Sequence, residues 1–209
     1  MKLFDLDGTL IDSNGVWREV DYRFLEAHGL KATDEYMAAV GQSIFPIAAK
    51  FTKSYYRLDM SPEAIMFEWM TLVKEAYTQH IPLKPGVKEY LMLEAARGET
   101  LALVTACVPS LGHAVLERHG ISDLFHHKIF AQELHLEKRD PRFFHQVIDL
   151  LNVSPSECIF YDDSPDNCAV AKSMGMTVVG ILDPLYADDA PRMKRLCDRC
   201  VTDFTEFFT

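Results

Sequence analysis

The chain has 209 residues, of which 48% are hydrophobic and 25% charged, a balance typical of a globular protein. Its formal net charge of −10 argues against non-specific nucleic-acid binding and against docking on anionic membranes. We expect no membrane span, because no apolar run is long enough, and no signal peptide, because charged residues begin within the first strand.

The first predicted element is a buried strand over residues 1–4, and it leads into Asp5-Leu6-Asp7-Gly8. Residues two apart in a strand share a face, so the carboxylates of Asp5 and Asp7 are expected to lie together. Such a pair needs a cation between the two groups or a proton on one of them. The pattern therefore favours a hard cation such as Mg²⁺ and two acids with different tasks, although an acidic turn has the same composition.

Residues 14–82 contain only helical patterns, at 16–27, 35–40, 47–56 and 62–77. Phe67, Met70 and Tyr77 recur at helical spacing, and we interpret them as core residues. Pro82 and Pro85 mark the end of this block. We therefore predict an all-helical cap domain over residues 14–82, inserted into a core formed by residues 1–13 and 83–209.

Beyond residue 85 the pattern alternates between strands and helices. Strands are predicted at 101–105, 128–130, 158–161 and 177–181, and helices at 86–97, 109–119, 141–151 and 165–174. This alternation predicts an α/β fold, a Rossmann-like doubly wound parallel sheet. The five cysteines are scattered, which favours reduced thiols and a cytoplasmic protein, and Cys197 and Cys200 are interpreted as packing residues despite their C-x-x-C spacing.

Polar residues cluster where the predicted strands end, which is where an open parallel sheet binds its ligand. Asp5 and Thr105 end two strands, Asp162 and Asp163 end a third, and Lys138 precedes the helix at 141–151. Taken singly, these residues also fit a helix N-cap, a strand-end hydroxyl and a surface lysine. Taken together they suit phosphoryl transfer, with acids for a metal ion and with an ammonium and a hydroxyl for phosphate oxygens.

In this arrangement the chain resembles the haloacid dehalogenase-like superfamily, in the branch with a helical cap after the first strand. Its four motifs occur in order: Asp5-x-Asp7-Gly8-Thr9-Leu10, Thr105, Lys138 with Asp140-Pro141, and Asp162-Asp163-Ser164. The chain departs from the family pattern in three places. Arg139 stands where proline is usual, Asp162 where glutamate is common, and Ala106-Cys107 where small polar residues are usual.

The resemblance implies a role for each matching residue. Asp5 would be the nucleophile that forms an aspartyl-phosphate, and Asp7 would protonate the leaving alcohol and then activate water. Thr105, Ala106 and Lys138 would bind the phosphoryl group. The implied Mg²⁺ ligands are Asp5, the backbone carbonyl of Asp7, Asp163 and, directly or through water, Asp162.

The expected activity is Mg²⁺-dependent hydrolysis of a small phosphomonoester, such as a sugar phosphate, a phosphoglycolate-like acid or a nucleoside monophosphate. Asp7 argues against the dehalogenase and phosphonatase branches. A sugar phosphomutase of the β-phosphoglucomutase type is an alternative, but Trp17 stands at the position of its cap histidine and Ile44 near that of its cap arginine. Another alternative is a catalytically silent relative that binds a phosphorylated metabolite. The candidates for specificity residues in the cap are Trp17, Arg18, Arg23, Phe45, Lys50 and Lys53.

Overall fold

The computed structural model describes residues 1–41 and 43–208. Their centre is a six-stranded parallel sheet of order β3-β2-β1-β4-β5-β6. The strands are β1 (Lys2–Phe4), β2 (Leu101–Thr105), β3 (His127–Phe130), β4 (Ile159–Asp162), β5 (Thr177–Ile181) and β6 (Arg199–Val201). The predicted α/β fold with a Rossmann-like parallel sheet is confirmed.

Both faces of the sheet are covered, which explains why a strand such as β2, with the sequence LALVT, is buried along its whole length. Along β1, Leu3 belongs to one buried cluster and Phe4 to the other, and Phe160 and Tyr161 divide in the same way on β4. Free cysteines Cys197 and Cys200 pack against the cluster that contains Leu3. The covering helices are α5 (Val87–Ala96), α6 (Pro109–His119), α7 (Ala131–Leu134), α8 (Pro141–Leu151), α9 (Pro165–Ser173) and α10 (Ala190–Leu196).

One prediction about the strands needs correction, and one strand was not predicted. The strand before the first acids ends at Phe4, so Asp5 and Asp7 follow the strand, and Asp7 pairs with Ile11 in an isolated bridge. The edge strand β6 was not predicted, because it has only three residues and one of them, Arg199, is exposed. An edge strand this short leaves no alternating pattern to detect.

The regular structure described between Asn14 and His80 is entirely helical. Four α-helices are followed by a π-helical turn: α1 (Asn14–Ala27), α2 (Asp34–Val40), α3 (Phe45–Tyr56), α4 (Pro62–Glu75) and Ala76–His80. Helices α2 and α4 have N-cap side chains. The hydroxyls of Thr33 and Ser61 accept hydrogen bonds from backbone N–H groups in the first turns of these helices. Pro62 also suits the first turn of α4.

The interpretation of Phe67 as a core residue is wrong, because its side chain is 74% exposed. The buried face of α4 consists of Ile65, Trp69 and Val73, which recur every four residues. Phe67 lies two positions from Ile65 and Trp69, and at about 100° per residue it points to the opposite side of the helix. Met70 is half-buried and Tyr77 is fully buried, as predicted.

The two connections between the helical segment and the sheet lie side by side. Ile11 and Leu83 form an antiparallel bridge. The N–H of Asp12 donates to the carbonyl of Pro82 at 3.0 Å, and that of Lys84 donates to Leu10 at 2.9 Å. The chain thus leaves and re-enters the sheet at one place. No helix within residues 1–41 and 43–208 is long and apolar enough to cross a membrane.

Asp21, on α1, generates a prediction about stability and pH. Burial raises the pKa of Asp21 from 3.8 to about 7, although a hydrogen bond with Tyr36 of α2 lowers it. Its titratable neighbours are Tyr36, Tyr56 and Tyr186. The folded state therefore retains a proton that the unfolded chain releases, and stability is lost as pH rises towards about 7.

We expect Asp21→Asn to raise the free energy of unfolding, because the amide cannot ionise. At about 1.4 kcal/mol per pKa unit the gain has an upper limit of about 4 kcal/mol at about pH 8 and nearly vanishes at about pH 4. Urea titrations at both pH values measure it. The exposed Asp59 offers a control, since Asp59→Asn should change little at either pH. A stabilisation by Asp21→Asn that does not vary with pH would contradict the buried proton.

Candidate active site

A buried ammonium group forms the centre of the site. Lys138 Nζ lies 2.6 Å from Asp5 Oδ1 and 2.7 Å from Asp162 Oδ2. All three residues are buried. An unpaired charge would be very costly in such a place, so the three groups depend on one another. Burial lowers the pKa of Lys138, but the attraction of Asp162 and Asp5 outweighs it and raises that pKa above its ordinary value.

The parallel sheet brings these residues together. β1 lies between β2 and β4, and the backbone N–H of Asp5 continues the ladder by donating to Tyr161 at 2.9 Å. Asp162 is the last residue of β4. Its Oδ1 accepts from the N–H of Ser164 at 2.8 Å and its Oδ2 accepts from Lys138, while the Asn167 amide lies against both oxygens. Both oxygens of Asp162 therefore have protein donors.

Three carboxylates meet beside Lys138. Oxygen atoms of Asp5, Asp162 and Asp163 lie within 4.8 Å of one another. Burial, followed by the charge of Asp162, raises the pKa of Asp163 to about 7, and burial holds the pKa of Asp5 well above its ordinary range. When ionised, three carboxylates and one ammonium leave two negative charges. An oxygen donor set with this charge fits a hard divalent cation, and binding would remove the repulsion.

Asp163 is connected to both segments that join the helices to the sheet. Asn14 Nδ2, at the start of α1, donates to Asp163 Oδ2 at 2.8 Å and to Asp183 Oδ2 at 3.1 Å. Lys84, in the returning segment, pairs with Asp183 at 2.8 Å. Sequence reasoning missed Asn14, Lys84 and Asp183. Their partners lie between 99 and 169 positions away, and no local pattern marks such pairs.

Asp7 occupies a different environment from Asp5. Its Oδ1 accepts a hydrogen bond from Ser13 Oγ at 2.7 Å, another from the Tyr77 hydroxyl, and a longer one from Trp17 Nε1 at 3.4 Å. Burial, followed by the charge of Asp7, raises the pKa values of Tyr77 and of the neighbouring Cys107 thiol well above their ordinary range. Both groups therefore stay neutral around Asp7.

The end of β2 supplies Thr105 and Ala106. Thr105 is fully buried, and its Oγ1 accepts a hydrogen bond from the N–H of Cys107 at 3.1 Å. This bond uses an acceptor position of the hydroxyl, so its hydrogen remains to be donated. The carbonyl of Ala106 lies 3.4 Å from Gln132 Nε2 of α7.

The helical segment also meets the loop that carries Lys138. Arg139 Nη2 donates to Ser43 Oγ at 3.0 Å and also pairs with Glu137. Ile44 is buried against the cluster that contains Leu3. The proline expected after Lys138 is thus replaced by a side chain that contacts the helical segment.

The charged cap candidates have other partners or face solvent. Arg18 lies 3.4 Å from the Tyr22 hydroxyl, and Lys53 donates to the Met60 carbonyl at 2.6 Å. Arg23 and Lys50 are exposed. The aromatic candidates differ, since Trp17 contacts Asp7 and Phe45 packs edge-on against Trp17 at 5.7 Å between ring centroids.

The family model for haloacid dehalogenase-like hydrolases matches residues 3–175, and the chain belongs to this family. The expectations of the family and of an enzyme that catalyses hydrolysis are therefore confirmed.

The chain is similar to proteins of known structure or activity. It is 24% identical over 188 residues to the phosphorylated carbohydrates phosphatase of Thermotoga maritima, covering 88% of this chain and 85% of that one. It is 28% identical over 189 residues to the phosphoglycolate phosphatase of Pseudomonas putida, covering 87% and 68%. The crystal structure of CbbY from Rhodobacter sphaeroides in complex with phosphate superposes with a TM-score of 0.80 at 19% identity, covering 99% and 95%.

The absence of a side chain at Gly8 makes room for the contact between Asp163 and Asn14, and this predicts the effect of a substitution there. A Cβ atom on Gly8 would lie 2.1 Å from Asp163 Oδ2 and 2.3 Å from Asn14 Nδ2. If a divalent cation binds beside Asp163, Mg²⁺ should raise the melting temperature, because a cation that binds only the folded site stabilises it. We expect Gly8→Ala to displace Asp163 and to abolish this rise.

Gly29→Ala is the matched control, since Gly29 has a similar φ of +67° against +72° for Gly8 but an open surrounding. It should cost about 1–2 kcal/mol of stability from backbone strain alone and keep the Mg²⁺ effect. Thermal melts with and without Mg²⁺ compare the two variants. The site geometry would be contradicted if Gly8→Ala kept the full Mg²⁺ effect.

Proposed function

We propose that the chain is a Mg²⁺-dependent phosphatase that hydrolyses a small phosphomonoester through an aspartyl-phosphate on Asp5. The observation that carries this proposal is the contrast between its two acids. Asp5 is buried against the ammonium of Lys138, whereas Oδ1 of the nearby Asp7 accepts from the neutral donors Ser13, Trp17 and Tyr77. Two carboxylates in different environments are suited to different tasks, one to nucleophilic attack and one to proton transfer.

Each residue then has a chemical task. A carboxylate oxygen of Asp5 attacks phosphorus, while Lys138 offsets the negative charge of the nucleophile and the phosphoryl oxygens. Thr105 donates its free hydroxyl hydrogen to the phosphoryl group, and the backbone N–H of Ala106 is proposed as a second donor. Asp7 gives a proton to the leaving oxygen and later takes one from the water that attacks phosphorus.

The acids beside Lys138 are proposed to hold the metal ion. Asp5, Asp163 and the backbone carbonyl of Asp7 would be its direct ligands, and a bound Mg²⁺ would neutralise charge on the phosphoryl oxygens. Since both oxygens of Asp162 already have protein donors, we propose that Asp162 orients Lys138 and reaches the metal through water.

Hydrolysis is favoured over the two alternatives. A phosphomutase would carry a histidine where Trp17 stands, and the Trp17 indole N–H contacts Asp7 instead. A silent binding protein would have no use for an acid–base carboxylate held by Ser13, Trp17 and Tyr77 beside a nucleophile. Both curated relatives described above are named as phosphatases.

The surroundings of Asp7 support a substrate with a neutral leaving group. Trp17 and Tyr77 are the cap side chains that contact Asp7, whereas Arg18 and Lys53 are bonded elsewhere. A carboxylate on the leaving group, as in phosphoglycolate, would need a cationic partner. We therefore propose a sugar or polyol phosphate as the substrate.

Residues 14–82 are proposed to form the cap, with residues 1–13 and 83–209 as the core, because the two connecting segments are paired.

The test measures phosphate release from p-nitrophenyl phosphate, sorbitol phosphate and phosphoglycolate. We expect release with Mg²⁺, none with excess EDTA, and recovery when Mg²⁺ is restored. Asp5→Asn keeps the size of the side chain but removes the attacking oxyanion, so turnover should fall to background for every substrate. The phosphoglycolate rate should be the lowest of the three.

Asp166→Asn is the control, because Asp166 follows Asp163 closely in the sequence, on α9, but pairs with Arg192 at the surface. It should retain wild-type turnover. Full activity in excess chelator would overturn the metal-dependent mechanism, and substantial activity of Asp5→Asn would overturn the choice of nucleophile. A clear preference for phosphoglycolate would overturn the proposed substrate class alone.

A further inference from the structure

Tyr77 lies in an unusual turn of the chain. The π-helical turn Ala76–His80 prolongs α4, and the N–H of Ile81 closes it by donating to Ala76 at 2.9 Å. Turns of this kind are rare and often occur at functional sites. Tyr77 is fully buried. Its ring contacts that of Trp17, with 5.9 Å between the centroids.

The direction of the hydrogen bonds around Tyr77 is fixed by chemistry. Trp17 Nε1 lies 2.6 Å from the Tyr77 hydroxyl oxygen, and an indole N–H can only donate. The hydroxyl therefore accepts from Trp17, and its own hydrogen is directed to Asp7 Oδ1. Trp17 follows the outgoing connection and Tyr77 precedes the returning one, so the two ends of the helical segment meet at this carboxylate.

The donors converge on one oxygen of Asp7. Ser13, Tyr77 and Trp17 all contact Oδ1. An oxygen held in this way fixes the orientation of the carboxylate, so the proton would be exchanged at the other oxygen, Oδ2. Acid–base catalysis depends on such placement, because the proton must pass over hydrogen-bond distance.

We propose that Tyr77 is a positioning residue that holds Asp7 for proton transfer, so that the helical segment sets the geometry of this step. The inference rests on the proposed function of Asp7. In the first step, the proton leaves Asp7 Oδ2 for the leaving oxygen as that oxygen separates from phosphorus and Asp5 bonds to phosphorus. In the second, Oδ2 takes a proton from water as the water oxygen bonds to phosphorus and Asp5 is released.

The test is Tyr77→Phe, which removes the hydroxyl and keeps the ring. The value of kcat/KM reports the steps up to departure of the leaving group. A sugar alkoxide needs a proton at that stage and p-nitrophenolate does not. We expect kcat/KM to fall at least about 10-fold for sorbitol phosphate and less than about 2-fold for p-nitrophenyl phosphate, a part of the roughly 10²–10⁴-fold value of acid–base catalysis.

Tyr36→Phe is the matched control, since Tyr36 is another buried tyrosine of the helical segment, with its hydroxyl 3.0 Å from Thr52. It should not change the ratio between the two substrates. Trp17→Phe provides a second variant, which removes the donor to Tyr77 and should shift the ratio in the same direction. Equal losses on both substrates, or none, in Tyr77→Phe and Trp17→Phe would overturn the positioning role.

The activities of the wild type and of Asp5→Asn show whether an unexpected result contradicts the role of Tyr77 or the proposed phosphatase function. An inactive wild type, or an active Asp5→Asn, contradicts the phosphatase mechanism. An active wild type and an inactive Asp5→Asn, together with an unchanged substrate ratio in both Tyr77→Phe and Trp17→Phe, contradict only the role of Tyr77.

Discussion

The arrangement of the site depends on one buried contact, the ammonium of Lys138 between the carboxylates of Asp5 and Asp162. Neither sign of charge could be buried there alone at an acceptable free energy. Three segments must therefore lie close together in the folded chain: the end of β1, the end of β4 and the loop before α8. Because β1 and β4 are parallel neighbours, their ends lie at the same edge of the sheet. The excess of acids over Lys138 then favours a divalent cation at the same edge.

The helical segment contributes to the same site and does more than cover it. Asn14 donates to Asp163, while Trp17 and Tyr77, from the two ends of the segment, contact Asp7 together with Ser13 of the preceding connection. The core holds Asp5, the proposed nucleophile, while the segment contacts Asp7, the acid proposed to move the proton. The tasks of the two acids are thereby separated in space as well as in chemistry.

The sequence predicted what depends on local pattern. Strands β1 to β5 were predicted from their short apolar runs, and their alternation with helices indicated a doubly wound parallel sheet without specifying its strand order. Lys138, Thr105 and the acids were found because the ends of parallel strands share an edge, and the family motifs placed them in order. Their proposed roles stay predictions.

Other features depend on tertiary contacts that leave no local pattern. Asn14, Lys84 and Asp183 are linked only in space. Tyr77 was correctly predicted as buried, but its hydrogen bond to Asp7 required the π-helical turn. Phe67 shared the spacing of core residues and yet faces solvent, because the face of α4 that packs is set by its neighbours.

The most direct measurement is rapid-quench mass spectrometry of Asp7→Asn after mixing with p-nitrophenyl phosphate and Mg²⁺. This substrate needs no proton to leave, but breakdown of the intermediate needs Asp7 to activate water. We predict a burst of p-nitrophenolate of about one equivalent per enzyme and a phosphoryl group on the peptide that contains Asp5. A phosphoryl group on another residue, or steady turnover without a covalent adduct, would contradict the proposed chemistry.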